Sequence, residues 1–498
     1  MFKNKDFKTI FANIRFVYML IYMLIMAAAY VIPVKRFADE YLGTVNIILA
    51  ILGIALIGTD FVTRRIIFKA KYCTLLILFT ASCAISCIYN LKYGFADNVK
   101  TLVWTCIHFF IFATVDTDLN SETTKKHFKI FSESFSLIWL VFSAISLGEF
   151  VVQYNPIWYL ESIAYPIREG FHEGRLFGVF IDPNFASLIS IIAICLCILN
   201  MGKTKFSKIY HIFAIVIQLF YVILSGSRTS LICLIVMTML LSSYKAWTAL
   251  DKAQKGNLLK TVSSIATATL AIFVVLLSEN VIRESSNFIS KSVTSKTHIE
   301  YKDEVSKNPN INIDNPDNEI SFERPDVVQS SDVSNGRISI WLDYLKVFTK
   351  SPILGTSPRN VLQFVDDHFD SLYINSHRYL PHNSYLAVLV CTGLIGTSII
   401  AVWAILTFIQ IVSYLFRNYK KQDEYYSTIF VLTVILIVLA IGAFPLMFVF
   451  FSNTIIDIMM WAIIGYIKSL IQISEPEKHT KEPLAYRITN KLLPHFKI

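Results

Sequence analysis

Long apolar blocks separated by short polar and basic stretches dominate the pattern of the chain. Each block holds roughly 20 residues, which is the length a helix needs to cross the hydrocarbon core of a bilayer. The pattern therefore predicts an all-α polytopic membrane protein with about twelve transmembrane helices. The predicted helices cover residues 15–33, 42–59, 72–90, 100–115, 130–153, 179–199, 209–224, 229–243, 261–278, 394–415, 426–442 and 446–467.

The first apolar block follows several basic residues and contains the small residues Ala27, Ala28 and Ala29, so it has some features of a signal peptide. Its apolar run is long for a signal peptide, and further predicted spans follow it. We interpret the block as an uncleaved membrane anchor.

The short loops on one predicted side of the membrane are all basic. Examples are the stretches 64–71, 125–129, 203–208 and 417–421. Because cytoplasmic loops carry an excess of Lys and Arg, this distribution predicts that both termini are cytoplasmic. The formal net charge of +9 then reflects orientation beside anionic lipids and gives no reason to expect a nucleic-acid partner.

Composition agrees with this class, since 54% of the residues are hydrophobic and only 16% are charged. All eight cysteines lie in apolar segments, where a free thiol behaves as a small hydrophobic group. We therefore predict no disulfide framework, and no zinc, Walker-type or dinucleotide-binding pattern appears in the sequence.

The blocks divide the chain into four parts. A long predicted outer loop contains an amphipathic helix at 336–350, in which Ile338, Trp341 and Leu345 share the apolar face and Asp343 lies on the polar face. The loop stretch 297–335 is polar and resembles a mobile segment or a loose cap. The parts are helices 1–9 in 1–278, the loop in 279–393, helices 10–12 in 394–467 and a basic cytoplasmic tail in 468–498.

The apolar run that begins near residue 383 is too long for one straight span. We predict a half-helix at 383–392, a break at Gly393 and Gly396, and then a full crossing. Broken helices at membrane depth are tolerated where they are enclosed by protein or line a cavity. The break is therefore expected to lie near a site.

Three arginines and one histidine cluster on the predicted outer side: Arg175, Arg228, Arg337 and His382. Arginine is permanently charged and binds phosphate through two donors at once, and a helix N-terminus favours an anion. An imidazole accepts a proton near neutral pH. These residues predict a site for a diphosphate-linked lipid, with Asn184, Asn383 and Arg378 in supporting positions.

Structural explanations also exist for these residues. A single arginine at a helix end commonly extends its charge to the membrane surface, and Asp182 or Asn184 can cap a helix. The Asp116–Asp118 pair resembles a metal-binding motif, but no nucleotide-binding domain accompanies it. The intramembrane residues His108, Glu149 and Asp457 keep open a proton relay and hence a transporter.

Four sequence stretches resemble the signature segments of the O-antigen ligase and polymerase superfamily, and they occur in the family's order. The long predicted loop also lies where that family has one. The stretches are GRLFGVFIDPNFASL from Gly174, LSGSRTSL from Leu224, GRISIWLDYLKVFTKSPILGTSPRN from Gly336 and HNSYLAVLVCTGLIG from His382.

The resemblance implies a bundle like that of membrane glycosyltransferases, working without metal or cofactor. Arg175, Arg228 and Arg337 would bind the undecaprenyl diphosphate of a lipid-linked oligosaccharide donor, and His382 would activate the hydroxyl of the glycan acceptor. Membrane lipids and flippase or chain-length regulator proteins are the further partners that the resemblance implies.

The leading hypothesis is a polymerase of lipid-linked repeat units for O-antigen, capsule or exopolysaccharide, acting by inverting transfer at the outer face of a bacterial cytoplasmic membrane. The alternatives are a ligase that transfers the glycan to lipid A-core or another acceptor, and a flippase for the same lipid-linked sugar. A ligase differs from a polymerase only in its acceptor. A flippase has no need of an outer arginine cluster.

Overall fold

The protein is described by a computed structural model. The described residues are 4–114, 119–159, 166–294, 334–421, 424–475, 486–487 and 489. The Asp116–Asp118 pair, nearly all of the stretch 297–335 and most of the basic tail lie outside them.

The described part of the chain is an all-α bundle. Its first helices in chain order are α1 (Asn4–Ala29), α2 (Ile32–Thr63), α3 (Ile66–Lys69), α4 (Cys73–Tyr89), α5 (Phe95–Ile107), α6 (Ser121–Val152), α7 (Pro183–Asn200) and α8 (Lys205–Leu224). The remaining helices are α9 (Arg228–Lys252), α10 (Asn257–Thr294), α11 (Arg337–Lys350), α12 (Val361–His368), α13 (Tyr373–His377), α14 (Ser384–Asn418), α15 (Glu424–Gly442) and α16 (Ile455–Ser474).

Ten of these helices are long and apolar enough to cross a membrane. The all-α polytopic membrane fold is thereby confirmed. The two other predicted spans fall on α4, which has 17 residues, and on α5, which a π-helical turn extends through His108–Phe112. The count of about twelve spans therefore stays a prediction.

Two short antiparallel hairpins lie between α6 and α7, where no strands were predicted. Strands β1 (Ile157–Trp158) and β2 (Ile167–Arg168) form one hairpin, and β3 (Gly170–His172) and β4 (Arg175–Gly178) form the other. Gly178 has a φ of +59°, and a Cβ there would lie only 2.1 Å from the Ser146 Cβ on α6. A glycine at this position therefore lets the second hairpin pack directly against the bundle.

Several helix boundaries differ from the prediction. The sixth span begins at Pro183 instead of residue 179, because Asp182 caps it and proline suits the first helical position. Helix α10 continues past residue 278 to Thr294, since no glycine or proline interrupts 279–294. Helix α16 extends to Ser474, so Lys468 belongs to this helix and not to a tail.

Helices α11, α12 and α13 form a small cap with its own hydrophobic cluster. The predicted faces of α11 were partly wrong, although Trp341 packs against the cluster as expected. Ile340, Tyr344 and Val347 are buried, and so is Asp343, whereas the side chains of Ile338, Leu342 and Leu345 are largely exposed. The helix has apolar residues on two sides, so periodicity alone could not identify the side that packs.

Helix α14 is broken at Gly393, where the backbone has φ 62° and ψ −167°, while Gly396 remains helical. The loop after α11 fills the break. Leu394 N donates to Pro352 O at 2.8 Å, and Thr356 N donates to Val390 O at 2.9 Å. The backbone groups freed by the break are thus paired with a second chain segment, as a low-dielectric environment requires.

We expect Gly393→Ala to lower stability by roughly 2 kcal/mol or more, because the left-handed backbone disfavours a side chain. A Cβ at this position would also lie 2.3 Å from the Ile353 carbonyl oxygen. Thermal unfolding of the purified variant in detergent measures the effect. Gly43→Ala is the matched control, since no atom lies within 4 Å of its added Cβ. Equal unfolding temperatures for the two variants would contradict the prediction.

Candidate functional site

The N-termini of α7 and α9 lie side by side at the candidate site. Asp182 caps α7 by accepting from Asn184 N at 2.7 Å, and Ser227 caps α9 by accepting from Ser230 N. The hydroxyl groups of Ser187 and Ser230 are 2.6 Å apart and join the two helices. Both helix N-termini therefore contribute their positive ends to one region.

Arg175, on β4, joins the hairpin to both helix starts. Its Nε donates to the Ser225 carbonyl oxygen at 2.9 Å, and its Nη2 donates to Asn184 Oδ1 at 2.7 Å. The predicted residues Arg175 and Asn184 are thus in direct contact. Two charge-assisted contacts hold the guanidinium in one orientation beside the turn that precedes α9.

Arg228 is the first residue of α9 and is exposed. Within the part of the chain that the structure describes, it has no hydrogen-bond or ion-pair partner. The turn before it requires Gly226, whose φ is +62°. The guanidinium of Arg228 is therefore available to an anion at the end of a helix whose dipole also favours negative charge.

His382 lies between the cap and the α7 start, and its electrostatic neighbours are Arg337 and Asp182. Part of the residue is exposed, yet the surrounding protein desolvates the charged imidazole. This desolvation and the positive charge of Arg337 lower the pKa of His382, while Asp182 acts in the opposite direction. The structure thus brings His382 and Arg337 to the same end of the bundle as Arg175 and Arg228.

The backbone at His382 is left-handed, with a φ of 46°. The next residue, Asn383, caps α14 by accepting from Tyr385 N and Leu386 N, each at 3.0 Å. Asn383 is buried, so its contacts are those of a helix cap. It places the start of α14 directly after the imidazole.

Arg378 is not part of this cluster in the structure. Its Nη1 donates to both carboxylate oxygens of Asp366, at 2.7 and 2.6 Å, on the surface of the cap. It was predicted as a supporting residue because it precedes His382 by only four positions. The nearness of Arg378 to His382 in the sequence gave no sign that Arg378 pairs with Asp366.

Two charged residues near the cluster were not identified as binding or catalytic residues from the sequence. Asp182 was considered only as a helix cap, although its charge also acts on His382. Arg283, on α10, has its Nη2 3.2 Å from the point that a Cβ of Gly226 would occupy. The sequence shows Arg283 as a charged residue just beyond a predicted span, which could have indicated a site residue. The prediction placed it in a loop instead.

Of the intramembrane ionisable residues, His108 and Asp457 are electrostatic neighbours, whereas Glu149 has different surroundings. Asp457 is fully buried and accepts from Val449 N, Thr454 N and two hydroxyl groups, so it organises the turn before α16. Glu149 lies beside the buried Glu169. Among the described residues, no group of three or more His, Cys, Asp and Glu side chains has an arrangement suited to a metal ion.

Residues 213–401 match the family model described as O-antigen ligase. This match covers 189 of the 498 residues and supports the resemblance to the O-antigen ligase and polymerase superfamily. The matched region contains Arg228, Arg337 and His382, whereas Arg175 and Asn184 precede it. No curated protein matches the chain.

An O-antigen ligase transfers glycosyl groups, so the match favours a glycosyl-transferring enzyme for this membrane protein. The arginine cluster is suited to binding an anion by fixed positive charge. The imidazole beside it is suited to accepting a proton. The structure places the arginines and the imidazole at one end of the bundle.

We expect opposite pKa shifts of His382 in two charge variants. Asp182→Asn retains a capping side chain but removes the charge that raises the pKa, so the pKa should fall further. Arg337→Gln removes a charge that lowers the pKa, so the pKa should rise. The rate at which diethyl pyrocarbonate acylates the neutral imidazole, followed by mass spectrometry across pH, measures both shifts. Shifts in the same direction would contradict the electrostatic arrangement.

Proposed function

We propose that the protein polymerises oligosaccharide repeat units carried on undecaprenyl diphosphate, by metal-independent inverting glycosyl transfer. The convergence of Arg175, Arg228, Arg337 and His382 at one end of the bundle carries this proposal. The match of residues 213–401 to the O-antigen ligase family model supports the reaction class. Both the donor and the acceptor would be lipid-linked glycans.

The arginines would serve the leaving group. When the bond between the anomeric carbon and the diphosphate oxygen breaks, both electrons remain with the diphosphate, and negative charge develops there. Fixed guanidinium groups stabilise that charge without reorganising during the reaction. Arg175 is already held by Ser225 and Asn184, which supports such a preorganised role.

His382 would serve the acceptor. The hydroxyl oxygen of the acceptor sugar forms the new bond to the anomeric carbon, and its proton passes to the neutral imidazole. Attack on the side opposite the leaving diphosphate inverts the anomeric configuration. The lowered pKa of His382 supports this role, because it keeps the ring neutral and able to accept a proton at pH 7.

We further propose that the site lies on the extracytoplasmic side of a bacterial cytoplasmic membrane, with both termini in the cytoplasm. The basic composition of the short loops at the opposite ends of the helices supports this orientation. Flippase and chain-length regulator proteins are the partners expected for a repeat-unit polymerase.

A ligase is the second candidate, because the matching family model is described as O-antigen ligase. The donor chemistry would be identical. Only the acceptor would differ, being lipid A-core or another terminal glycan in place of a second lipid-linked repeat unit.

One reconstitution separates these functions. Purified protein in liposomes receives a synthetic undecaprenyl-diphosphate oligosaccharide, and a gel resolves the length of the products. A ladder supports polymerisation, and a single transfer to an added core acceptor supports ligation. Translocation without a new glycosidic bond would overturn both candidates in favour of a flippase.

In the same assay, Arg228→Ala should lower bond formation by roughly 100-fold or more, as expected for loss of a preorganised charge. The variant should remain folded, because the Arg228 side chain is exposed. Arg168→Ala is the matched control, since Arg168 on β2 pairs with Glu173 in the turn of the second hairpin at 2.6 Å. Full activity of Arg228→Ala would remove this residue from the proposed site.

His382→Gln should lower kcat by roughly 100- to 10,000-fold, the usual contribution of a general base. The KM for the donor should change little, since the imidazole would act on the acceptor hydroxyl. Steady-state rates against donor concentration separate the two constants. A raised donor KM at unchanged kcat would instead indicate a donor-binding role for His382.

A further inference from the structure

Arg283 occupies a position beside the turn that joins α8 to α9. A Cβ placed on Gly226 would lie 3.2 Å from Arg283 Nη2 and also 3.2 Å from Arg175 Cγ. The two arginine side chains therefore approach the same point of the turn, one from α10 and one from β4. Arg228 begins α9 and is separated from Gly226 only by Ser227.

The position of Arg283 is supported by an acidic residue one helical turn earlier. Glu279 Oε1 lies 3.5 Å from Arg283 Nε, and both side chains are about a quarter exposed. The carboxylate is on the Nε side, whereas Nη2 is the atom that approaches Gly226. An ion pair of this spacing limits the rotamers of Arg283.

Glycine at position 226 leaves room for this approach. The residue is left-handed, with a φ of +62°, and any side chain there would enter the space between the two arginines. The side chains of Arg175 and Arg283 lie against this tight turn, and Arg228 begins the helix that follows it. Like charges at such proximity repel, and an anion bound among them relieves the repulsion.

We infer that Arg283 is a further binding residue for the diphosphate of the lipid-linked donor, and that Glu279 positions it. The inference rests on the proposed function, because it assigns the residue to the same donor site. The chemistry that Arg283 recognises is a phosphate group. That group belongs to the donor diphosphate or to the headgroup of an anionic phospholipid, and the experiment below separates these two sources.

Binding of undecaprenyl diphosphate to the purified full-length protein in detergent is the direct test. Arg283→Ala should weaken binding by about 10- to 100-fold, as expected for lost hydrogen bonds to a charged group. Arg283→Lys should lose less, because it keeps the charge but not the two-donor geometry. Glu284→Gln is the matched control, since Glu284 is the next residue and is exposed.

Glu279→Gln tests the positioning role. It should weaken binding of undecaprenyl diphosphate less than Arg283→Ala does, and it should have no further effect when Arg283 is already alanine. Independent effects of the two substitutions would show that Glu279 does not act through Arg283.

A parallel titration with phosphatidylglycerol distinguishes the source of the phosphate. An unchanged affinity for phosphatidylglycerol, beside weakened binding of undecaprenyl diphosphate, supports the inference. Equal losses for both lipids, or none for undecaprenyl diphosphate, would overturn it.

Activity in liposomes separates this inference from the proposed function. If the wild-type protein forms no glycosidic bond, the proposed function fails whatever the Arg283 variants bind. If the wild type is active and Arg283→Ala leaves the donor KM unchanged, the function stands and the inference fails. A raised donor KM for Arg283→Ala, with Glu284→Gln unchanged, supports both.

Discussion

The Asp182 carboxylate connects three parts of the candidate site, which are the start of α7, Arg175 and His382. It caps α7, and the residue two positions later, Asn184, holds Arg175. Its negative charge also acts on His382, which belongs to a segment 200 positions further along the chain. The carboxylate gives the imidazole a charge opposite to that of Arg337. The arrangement of the site therefore depends on a residue that also begins a helix.

The cap is held to the bundle by backbone pairing at the Gly393 break. Without the inserted loop, the broken turn of α14 would leave unpaired amide and carbonyl groups inside the protein, each at considerable cost. Residues 352–356 supply the missing partners, and the same loop follows directly after α11. Because Arg337 begins α11 and His382 precedes α14, this pairing fixes both residues relative to the membrane helices. The break at Gly393 thus determines where Arg337 and His382 lie relative to the membrane helices.

The fold class could be predicted from the sequence because its signal is local. Each apolar block predicts its own helix, and the four motif stretches contain most of the residues that the structure brings together. Contacts between segments far apart in the sequence could be predicted less well. Arg283 was assigned to a loop because the apolar block ends near residue 278, although no glycine or proline ends α10 before Thr294. The buried face of α11 was also misassigned, since its packing partners come from α12, α14 and the Tyr93 region. No local pattern specifies which of two apolar faces will be covered.

The distribution of the arginines over separate elements has a mechanistic consequence. Arg175, Arg228, Arg283 and Arg337 belong to β4, α9, α10 and α11, so no single helix could present them together. Bringing positive charges together costs electrostatic energy, which tertiary packing must offset before a substrate arrives. Under the proposed function, a bound diphosphate would recover part of that cost, and more would be recovered as charge develops on it during bond cleavage. A protein that only transported the lipid would not cleave this bond. It would therefore gain nothing from stabilising the charge that develops during cleavage. The clustering of fixed cations beside a neutral imidazole therefore favours bond formation over translocation.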